Sequence, residues 1–306
     1  MNPHLESHAR ALRDAYATCR NIARREAKNF YYAFLALPAP RRNAICAIYA
    51  FMRQADDLAD DETLPREERR SRLDAWQGNW HGVCHGGDTS NPVFCAVRDA
   101  VERFNIPLNL LDGLVAGVSM DISSDTSINP DTYATFPDLY RYCYLVASVV
   151  GLVCIHVFGY TDPRAEKLAE ETGIAFQLTN ILRDVQEDAS RNRVYVALED
   201  LNKHNVALDS LLHRIPSMPP TANERALLAD YASRAETYYR SAQELLPLIN
   251  KESRPALWVL VTIYHSLLKR IESADYDVFF ERASVPSARK LAILVVGLVR
   301  MGFARL

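Results

Sequence analysis

The chain contains two segments in which an apolar helix runs into clustered acids, NAICAIYAFMRQADDLADDE at 43–62 and TGIAFQLTNILRDVQED at 172–188. In each segment two aspartates stand four residues apart, Asp56 with Asp60 and Asp184 with Asp188. Residues at this spacing share one face of a helix, where like charges destabilise it by roughly a few tenths of a kcal/mol per pair. A cation bound beside these helices would offset the repulsion, so the pattern indicates a metal site.

A solvated acidic face is the alternative interpretation, and either cluster alone fits it about equally well. Two features favour a binding site. The helices that lead into the clusters are too apolar for an exposed face, and an arginine accompanies each cluster, Arg53 before Asp56 and Arg183 directly before Asp184. Guanidinium groups suit phosphate oxygens, and one or two carboxylates with phosphate oxygens and water form typical Mg²⁺ sites.

Composition favours helix over sheet, because the 306 residues include only 11 glycines and 49% are apolar. A net charge of −3 gives no electrostatic case for nucleic acid, which calls for a basic face. The 6 cysteines are scattered without a CxxC pair and are interpreted as buried thiols. The amino terminus has charges where a signal peptide needs its apolar core, which favours a cytoplasmic location.

Helical periodicity covers nearly the whole chain, and no alternating strand is convincing. We expect one all-α domain, residues 1–306, in which the two acidic clusters face each other across a cavity. The expected helices span 5–27, 41–61, 65–77, 92–104, 108–121, 137–158, 163–189, 197–204, 221–247, 252–273 and 285–303.

One segment is nearly long enough to cross a bilayer, which takes about 20 apolar residues. It is YCYLVASVVGLVCIHVFGY at 142–160, and it carries no formal charge. Small residues recur in it, and a helix that is apolar all round is also typical of the centre of a large helical protein. We therefore predict a core helix beside an apolar ligand.

These features add up to a resemblance to the squalene/phytoene synthase family, the head-to-head isoprenoid synthases. The stretches that carry it are KNFYYAFLALP at 28–38, RRNAICAIYAFMRQADDLADD at 41–61, YCYLVASVVG at 142–151, GIAFQLTNILRDVQEDASRNRVYV at 173–196 and IYHSLLKRIESADYDVF at 263–279. The second acidic motif with its RxRxY tail is highly specific. A lone DDxxD is shared with head-to-tail prenyl synthases and terpene cyclases.

The resemblance implies an isoprenoid-synthase-type helical bundle around a central apolar cavity, with two or three Mg²⁺ ions that bind prenyl diphosphates. It implies metal ligands at Asp56, Asp57, Asp60, Asn180, Asp184 and Asp188. It implies catalytic roles for Tyr142, Tyr49, Arg53 and Arg183. It places substrate-binding residues at Phe30, Phe34, Asp121, Gln177, Arg191, Arg193, Tyr195 and Tyr264.

The product is less constrained than the family. The FYYAFLALP stretch and the short form without a carboxyl-terminal anchor look most like bacterial members that join two C15 farnesyl diphosphates into presqualene diphosphate, with squalene or a related C30 product as a further step. Phytoene synthesis from two C20 diphosphates is the alternative, and a non-catalytic assembly factor is disfavoured by the intact acidic motifs. No GxGxxG follows a strand, so no motif indicates NADPH, although squalene synthases use it without a Rossmann domain.

The last segment, SARKLAILVVGLVRMGFARL at 287–306, combines a short apolar run with flanking cations. The cations are Arg289, Lys290, Arg300 and Arg305. Such a helix can lie in a membrane interface, but a terminal helix packed on a protein core shows the same stripe. Peripheral membrane contact is therefore a hypothesis, and the oligomeric state stays open.

Overall fold

The computed structural model describes residues 3–61, 63–123, 131–215 and 218–303. Its helices are α1 (Pro3–Glu26), α2 (Lys28–Leu35), α3 (Ala39–Ala59), α4 (Arg66–Cys84), α5 (Pro92–Phe104), α6 (Leu108–Ser123), α7 (Phe136–Cys143), α8 (Val149–Phe158), α9 (Arg164–Ser190), α10 (Leu198–Lys203), α11 (Leu208–Leu212), α12 (Ala222–Leu245), α13 (Arg254–Ser273) and α14 (Ser287–Phe303). A π-helical turn, Tyr144–Ser148, joins α7 to α8, and a 3₁₀ turn, Leu246–Leu248, follows α12.

The only paired strands in the described ranges are two residues long. Strand β1 (Asp131–Thr132) runs parallel to β2 (Arg193–Val194), with Asp131 opposite Arg193. This pair ties the segment after α9 to the segment before α7. The all-α prediction is confirmed.

Three element predictions need correction. The sequence predicts no helix between residues 27 and 41, but after α1 ends a separate helix, α2, begins at Lys28. Helix α4 was expected to end at 77, yet it continues to Cys84 through two glycines, because Trp80 and Val83 are buried on its inner face and offset the low helix propensity of glycine. The short helix α11 was not expected; its buried residue is Leu211.

The core has two hydrophobic clusters. One contains an aromatic group in which Phe51 lies with its ring centre 4.6 Å from Trp76 and 5.1 Å from Trp80. The other surrounds the buried Tyr231 and Tyr239 of α12. Phe30 of α2 packs against both clusters, so the second half of the chain shares its interior with the first.

Helix α9 lies at the centre and packs against α12, α8 and the π-helical turn. At Gly173 the helix meets the turn so closely that a Cβ there would lie 2.6 Å from the Cα of Ser148. Only glycine permits this approach. The contact fixes the part of α9 that carries Gln177 and Asn180, one and two turns further along.

The segment Phe136–Phe158 is, within the described ranges, the one helical stretch long and apolar enough to cross a membrane, and 44% of its most apolar window is buried. Several of its partly exposed side chains face an internal cavity, namely Val146, Ala147, Val150, Gly151 and Cys154. They are accessible from inside the protein. The expectation that this segment adjoins an apolar space agrees with this arrangement.

The interpretation of all six cysteines as buried thiols is correct for half of them. Cys19, Cys46 and Cys143 are buried, and all six are free. Cys84, Cys95 and Cys154 are partly accessible, in the case of Cys154 because it faces the cavity.

Candidate active site

A cavity of about 360 Å³ lies between α2, α3, α8, α9 and α13. Most of its wall is apolar, and a few polar side chains are grouped with it, which is typical of sites for small molecules. Among its lining residues are Phe30, Phe34, Ile48, Tyr49, Met52, Asp56, Ala147, Val150, Phe158, Phe176, Gln177, Asn180, Leu257, Leu260 and Tyr264. The two sequence motifs therefore reach one cavity, the first through the carboxylate of Asp56 and the second through the amide of Asn180.

The first motif lies at the end of α3. Asp56 is half-buried and lines the cavity, whereas Asp57 and Asp60 are exposed. Arg53 pairs with Asp57 at 2.5 Å, one turn apart on the helix. Burial would lower the pKa of Arg53, but the charges of Asp57 and Asp56 outweigh it and raise that pKa. The guanidinium therefore remains a cation beside the first motif.

The second motif follows one face of α9, and Asn180 lies on the cavity wall. The Nδ2 of Asn180 donates to Oε1 of Gln177 at 3.3 Å. The Oδ1 of Asn180 is buried and makes no hydrogen bond within the described part of the chain. A buried acceptor without a donor costs about 1–3 kcal/mol, so such an atom calls for an explanation. One explanation is that this oxygen is a ligand for a cation.

Asp184, one turn beyond Asn180, is held by two arginines. The Nε of Arg183 donates to its Oδ1 at 2.7 Å, and the Nε of Arg282 donates to the same oxygen at 2.7 Å. Burial alone would raise the pKa of Asp184, but these hydrogen bonds outweigh it and hold the pKa below its ordinary value. The carboxylate is therefore ionised.

Asp188 has the opposite electrostatics. Burial, followed by the nearby charges of Asp184 and Glu187, raises its pKa to about 7, and Arg193 and Arg191 counter this only in part. Arg191 is exposed and pairs with Glu187 at 3.3 Å. The negative potential at Asp188 is thus incompletely compensated.

The donor set fits Mg²⁺. It offers an unpartnered amide oxygen at Asn180, an ionised carboxylate at Asp184, a site of excess negative charge at Asp188 and the cavity-facing Asp56. In the described residues no three acidic, histidine or cysteine side chains form a ready cage. Mg²⁺ does not need one, because it commonly keeps one or two carboxylates together with water and phosphate oxygens.

Two tyrosines connect the motifs across the cavity. Burial raises the pKa of Tyr264 to about 12, although the charge of Arg183 and a hydrogen bond with the side chain of Asn180 act to lower it. Burial likewise raises the pKa of Tyr49 to about 12, next to Arg53 and Asp56. Both phenols therefore keep their protons at neutral pH. They can donate hydrogen bonds but cannot act as bases there.

Aromatic rings form the walls near these phenols. Phe34 meets Tyr49 edge to face at 6.2 Å between ring centres, and Phe30 lies 5.5 Å from Tyr264. Phe176 stacks on Tyr264 at 4.5 Å. Ring faces stabilise a nearby cation, so this part of the cavity suits a developing carbocation.

Tyr142 and Tyr195 stack on each other, with ring centres 4.9 Å apart and planes at 10°. Both are buried, and neither lines the cavity. Arg193 lies two residues before Tyr195 on β2. The charge of Arg193 reaches Asp188 of the second motif, whereas the two stacked tyrosines lie off the cavity wall. The side chain of Asp121 lies outside the described residues.

Sequence reasoning missed two residues of this site. Phe176 had a signal, since it stands four residues before Asn180 and therefore shares its face of α9. Arg282 had none, because it lies in the loop before α14, distant from the motif it contacts. Its Nε also lies 3.4 Å from Oε2 of Glu187, so it serves both acids.

The fold and cavity define an all-α isoprenoid synthase. Residues 23–289 match the sequence model of the family described as squalene/phytoene synthase. The chain belongs to this family, which confirms the resemblance, and it is therefore a prenyltransferase of the head-to-head class.

Known relatives agree with this assignment. The chain is 34% identical over 315 aligned residues to a 15-cis-phytoene synthase of Synechococcus elongatus, with 98% of each chain covered. The structure is similar to that of a dehydrosqualene synthase crystallised with a ligand, with a TM-score of 0.83, 28% identity, and 97% of this chain and 99% of that chain covered. It is also similar to squalene synthase HpnC from Alicyclobacillus acidocaldarius, with a TM-score of 0.77, 26% identity, and 87% and 95% covered.

Proposed function

We propose that this enzyme joins two farnesyl diphosphates head to head into presqualene diphosphate in a Mg²⁺-dependent reaction. The observation that carries the proposal is the buried, unpartnered Oδ1 of Asn180 in a cavity that is otherwise mostly apolar. One wall then binds a metal–diphosphate group, and the remainder holds the prenyl chains. The chemistry of the donors supports Mg²⁺ over a soft metal, since all of them are oxygens.

The proposed metal ligands are those that the sequence predicts: Asp56, Asp57, Asp60, Asn180, Asp184 and Asp188. When bound, Mg²⁺ would neutralise the charge that develops on the leaving diphosphate. Arg53, Arg183, Arg191 and Arg193 orient the diphosphates with their guanidinium groups. Gln177 lines the cavity beside Asn180, and the role of Asp121 in substrate binding rests on the resemblance alone. Arg282 joins the four arginines because it already contacts Asp184.

In the proposed reaction the C1–O bond of the donor breaks and its electron pair leaves with the diphosphate. The double bond of the second substrate attacks the resulting allylic cation, and loss of one proton closes the cyclopropane ring. Pyrophosphate and a proton are the co-products. The protonated phenols of Tyr49 and Tyr264 do not take up this proton at neutral pH, so we assign it to the released diphosphate.

The walls have a separate role. Phe30, Phe34 and Tyr264 turn rings toward the cavity and can stabilise the cation, while the apolar wall excludes water that would trap it. Tyr142 and Tyr195 are proposed to act at the diphosphate end, where Tyr142 could donate a hydrogen bond. Their mutual stacking would fix the position of both rings.

Chain length separates two candidates. The C15 assignment follows from the FYYAFLALP stretch, and both structural relatives above carry the names of enzymes for C30 products. The second candidate, phytoene synthesis from two C20 chains, is favoured by the names of the sequence relatives, such as the enzyme of Synechococcus elongatus. Both candidates use the same metal and diphosphate groups.

Product analysis with purified protein and Mg²⁺ tests the proposal. Farnesyl and geranylgeranyl diphosphates are supplied separately, with and without NADPH, and products are identified by mass spectrometry. A C30 cyclopropyl diphosphate from the C15 substrate is expected, and the NADPH arm shows whether the reaction continues to squalene. A C40 product from C20 substrate alone would transfer the assignment to phytoene synthesis, and no condensation with either substrate would overturn both.

A further inference from the structure

The outer face of α14 is apolar. Leu291, Val295 and Val299 are 54%, 51% and 50% exposed. They follow one another at intervals of four residues and so form a single stripe along the helix. With Val296 and Leu298 beside them, α14 carries most of the large hydrophobic side chains that are exposed in the described part of the protein.

The stripe is not the face by which α14 docks. Ile293 and Leu294 are buried, and Gly297 lies so close to α13 that a Cβ there would be 2.5 Å from Cγ2 of Val259. Packing on the core therefore accounts for the inner face of α14. It leaves the outer stripe unexplained, and a contiguous exposed apolar patch usually marks an interaction site.

Cations flank this stripe, and α14 contains no acidic residue between Ser287 and Phe303. Arg289 and Lys290 lie at its start, and Arg300 lies near its end with its guanidinium 4.2 Å from the ring centre of Trp258. This stacking holds Arg300 at the edge of the apolar face. Partial burial lowers the pKa of Lys290, as expected for a side chain whose stem lies along apolar surface.

A groove of about 530 Å³ adjoins the start of α14. It is lined by side chains of α12, α13 and α14 that include Trp258, Arg270 and Arg289. Lys269 in the same groove is neutralised by Glu236 and Glu272, at 2.6 and 2.8 Å. Arg270 and Arg289, in contrast, make no side-chain ion pair within the described ranges, so their charge is available to an anion.

We propose that α14 is a membrane-contact face that lies in the plane of an anionic lipid bilayer. The apolar stripe enters the boundary between headgroups and acyl chains, and Arg270, Arg289 and Arg300 contact lipid phosphates. Apolar area combined with cations is the pattern of helices that bind anionic interfaces. A second copy of this chain is a poorer occupant, because two such faces would bring their basic margins together.

Helix α14 lies close to the cavity, so a lipid contact there would help product release. Helix α13 carries Leu257 and Leu260 on the cavity wall and Trp258 in the groove, and α14 also packs against α2, which carries Phe30 and Phe34. One layer of helix therefore separates the cavity from the proposed lipid contact. The long prenyl chains of the proposed product could enter lipid without a long path through water.

Flotation of the full chain with liposomes tests the proposal. Vesicles of phosphatidylcholine alone are compared with vesicles that contain phosphatidylglycerol, at low and at high salt. We expect co-flotation with the anionic vesicles at low salt and less at high salt, because screening weakens the basic contribution. Absence of co-flotation with anionic vesicles at low salt would overturn the proposal.

Variants separate the stripe from the cations. Val295→Glu with Val299→Glu should abolish flotation, while Leu108→Glu, at an exposed leucine on α6, should leave it unchanged. Arg270→Gln should weaken binding to anionic vesicles about fivefold, as expected for one cation near such a surface. Circular dichroism and light scattering accompany each variant.

Two results would contradict the lipid assignment. If the double variant keeps its helicity and still floats like the unmodified chain, α14 is not the contact face. If light scattering shows that the unmodified chain is a dimer and the double variant is a monomer, the stripe binds a second copy and the lipid assignment is wrong.

Discussion

The unpartnered Oδ1 of Asn180 predicts that Asn180→Leu stabilises the metal-free protein while it removes activity. Leucine has nearly the shape of asparagine and carries no polar atom to satisfy. Removing an unsatisfied buried acceptor recovers about 1–3 kcal/mol. The variant also loses the long Nδ2 contact to Gln177 at 3.3 Å and the hydrogen bond between the Asn180 side chain and Tyr264, so the net gain is the smaller part of that range. For about 300 residues, 1 kcal/mol corresponds to roughly 2 °C in the melting temperature.

Thermal unfolding followed by circular dichroism without Mg²⁺ measures this effect. The unmodified chain should gain stability when Mg²⁺ and pyrophosphate are added, and Asn180→Leu should gain little. Thr179→Val is the matched control, because the neighbouring hydroxyl is satisfied by the carbonyl of Ala175 at 2.8 Å and by Tyr239. That variant should lose stability. A lower melting temperature for Asn180→Leu than for the unmodified chain would refute the idea that Oδ1 is an unsatisfied acceptor in the metal-free protein.

Three further expectations follow from the site. Asp56→Ala should abolish product formation with its helical content intact, since it removes a proposed ligand and a like charge; Asp74→Ala on the exposed side of α4 is the control, and turnover by purified Asp56→Ala would contradict the assignment. Ala147→Phe should shorten the accepted prenyl chain or block binding, because a packed wall has no room for the larger side chain. Ala147→Ser, the control, should act like the unmodified enzyme. If Ala147→Phe left the kinetics with the C15 and the C20 substrate unchanged, Ala147 would not belong to the chain-binding wall. Because burial and neighbouring charge raise the pKa of Asp188 to about 7, folding takes up a proton, and the metal-free protein should lose stability as the pH rises from about 4 through about 7. Urea unfolding at pH 5 and pH 8 should show this loss of stability in the unmodified chain and not in Asp188→Asn. An equal pH dependence in the two proteins would contradict the role given to Asp188.

The acidic motifs and most helices could be predicted because their signals are local. Spacings of three and four residues place Asp56 and Asp60 on one helix face wherever that helix lies. Helix α2 was missed because it lacks such a local signal. An eight-residue helix next to α1 has little periodicity of its own, and its stability comes from packing of side chains such as Phe34 into the core.

Contacts that bridge distant segments could not be predicted from local patterns. Arg282 reaches Asp184 across 98 positions of sequence, and no spacing rule connects a loop arginine to a helix that far away. Tyr195 directly follows β2, and β1 and β2 are too short to leave an alternating pattern. The resemblance named Tyr142 and Tyr195 as site residues without indicating their mutual stacking.

The two arginines on Asp184 explain how an acid-rich motif folds without a bound cation, since they compensate a carboxylate that would otherwise be buried and unpaired. The same arginines suit diphosphate oxygens. A guanidinium that turns from Asp184 to a diphosphate leaves that carboxylate available to Mg²⁺, so the two ligands should assist each other. Linkage makes this reciprocal: if diphosphate raises the affinity for Mg²⁺, Mg²⁺ raises the affinity for diphosphate by the same factor. The site would then assemble fully only when substrate and metal are both present.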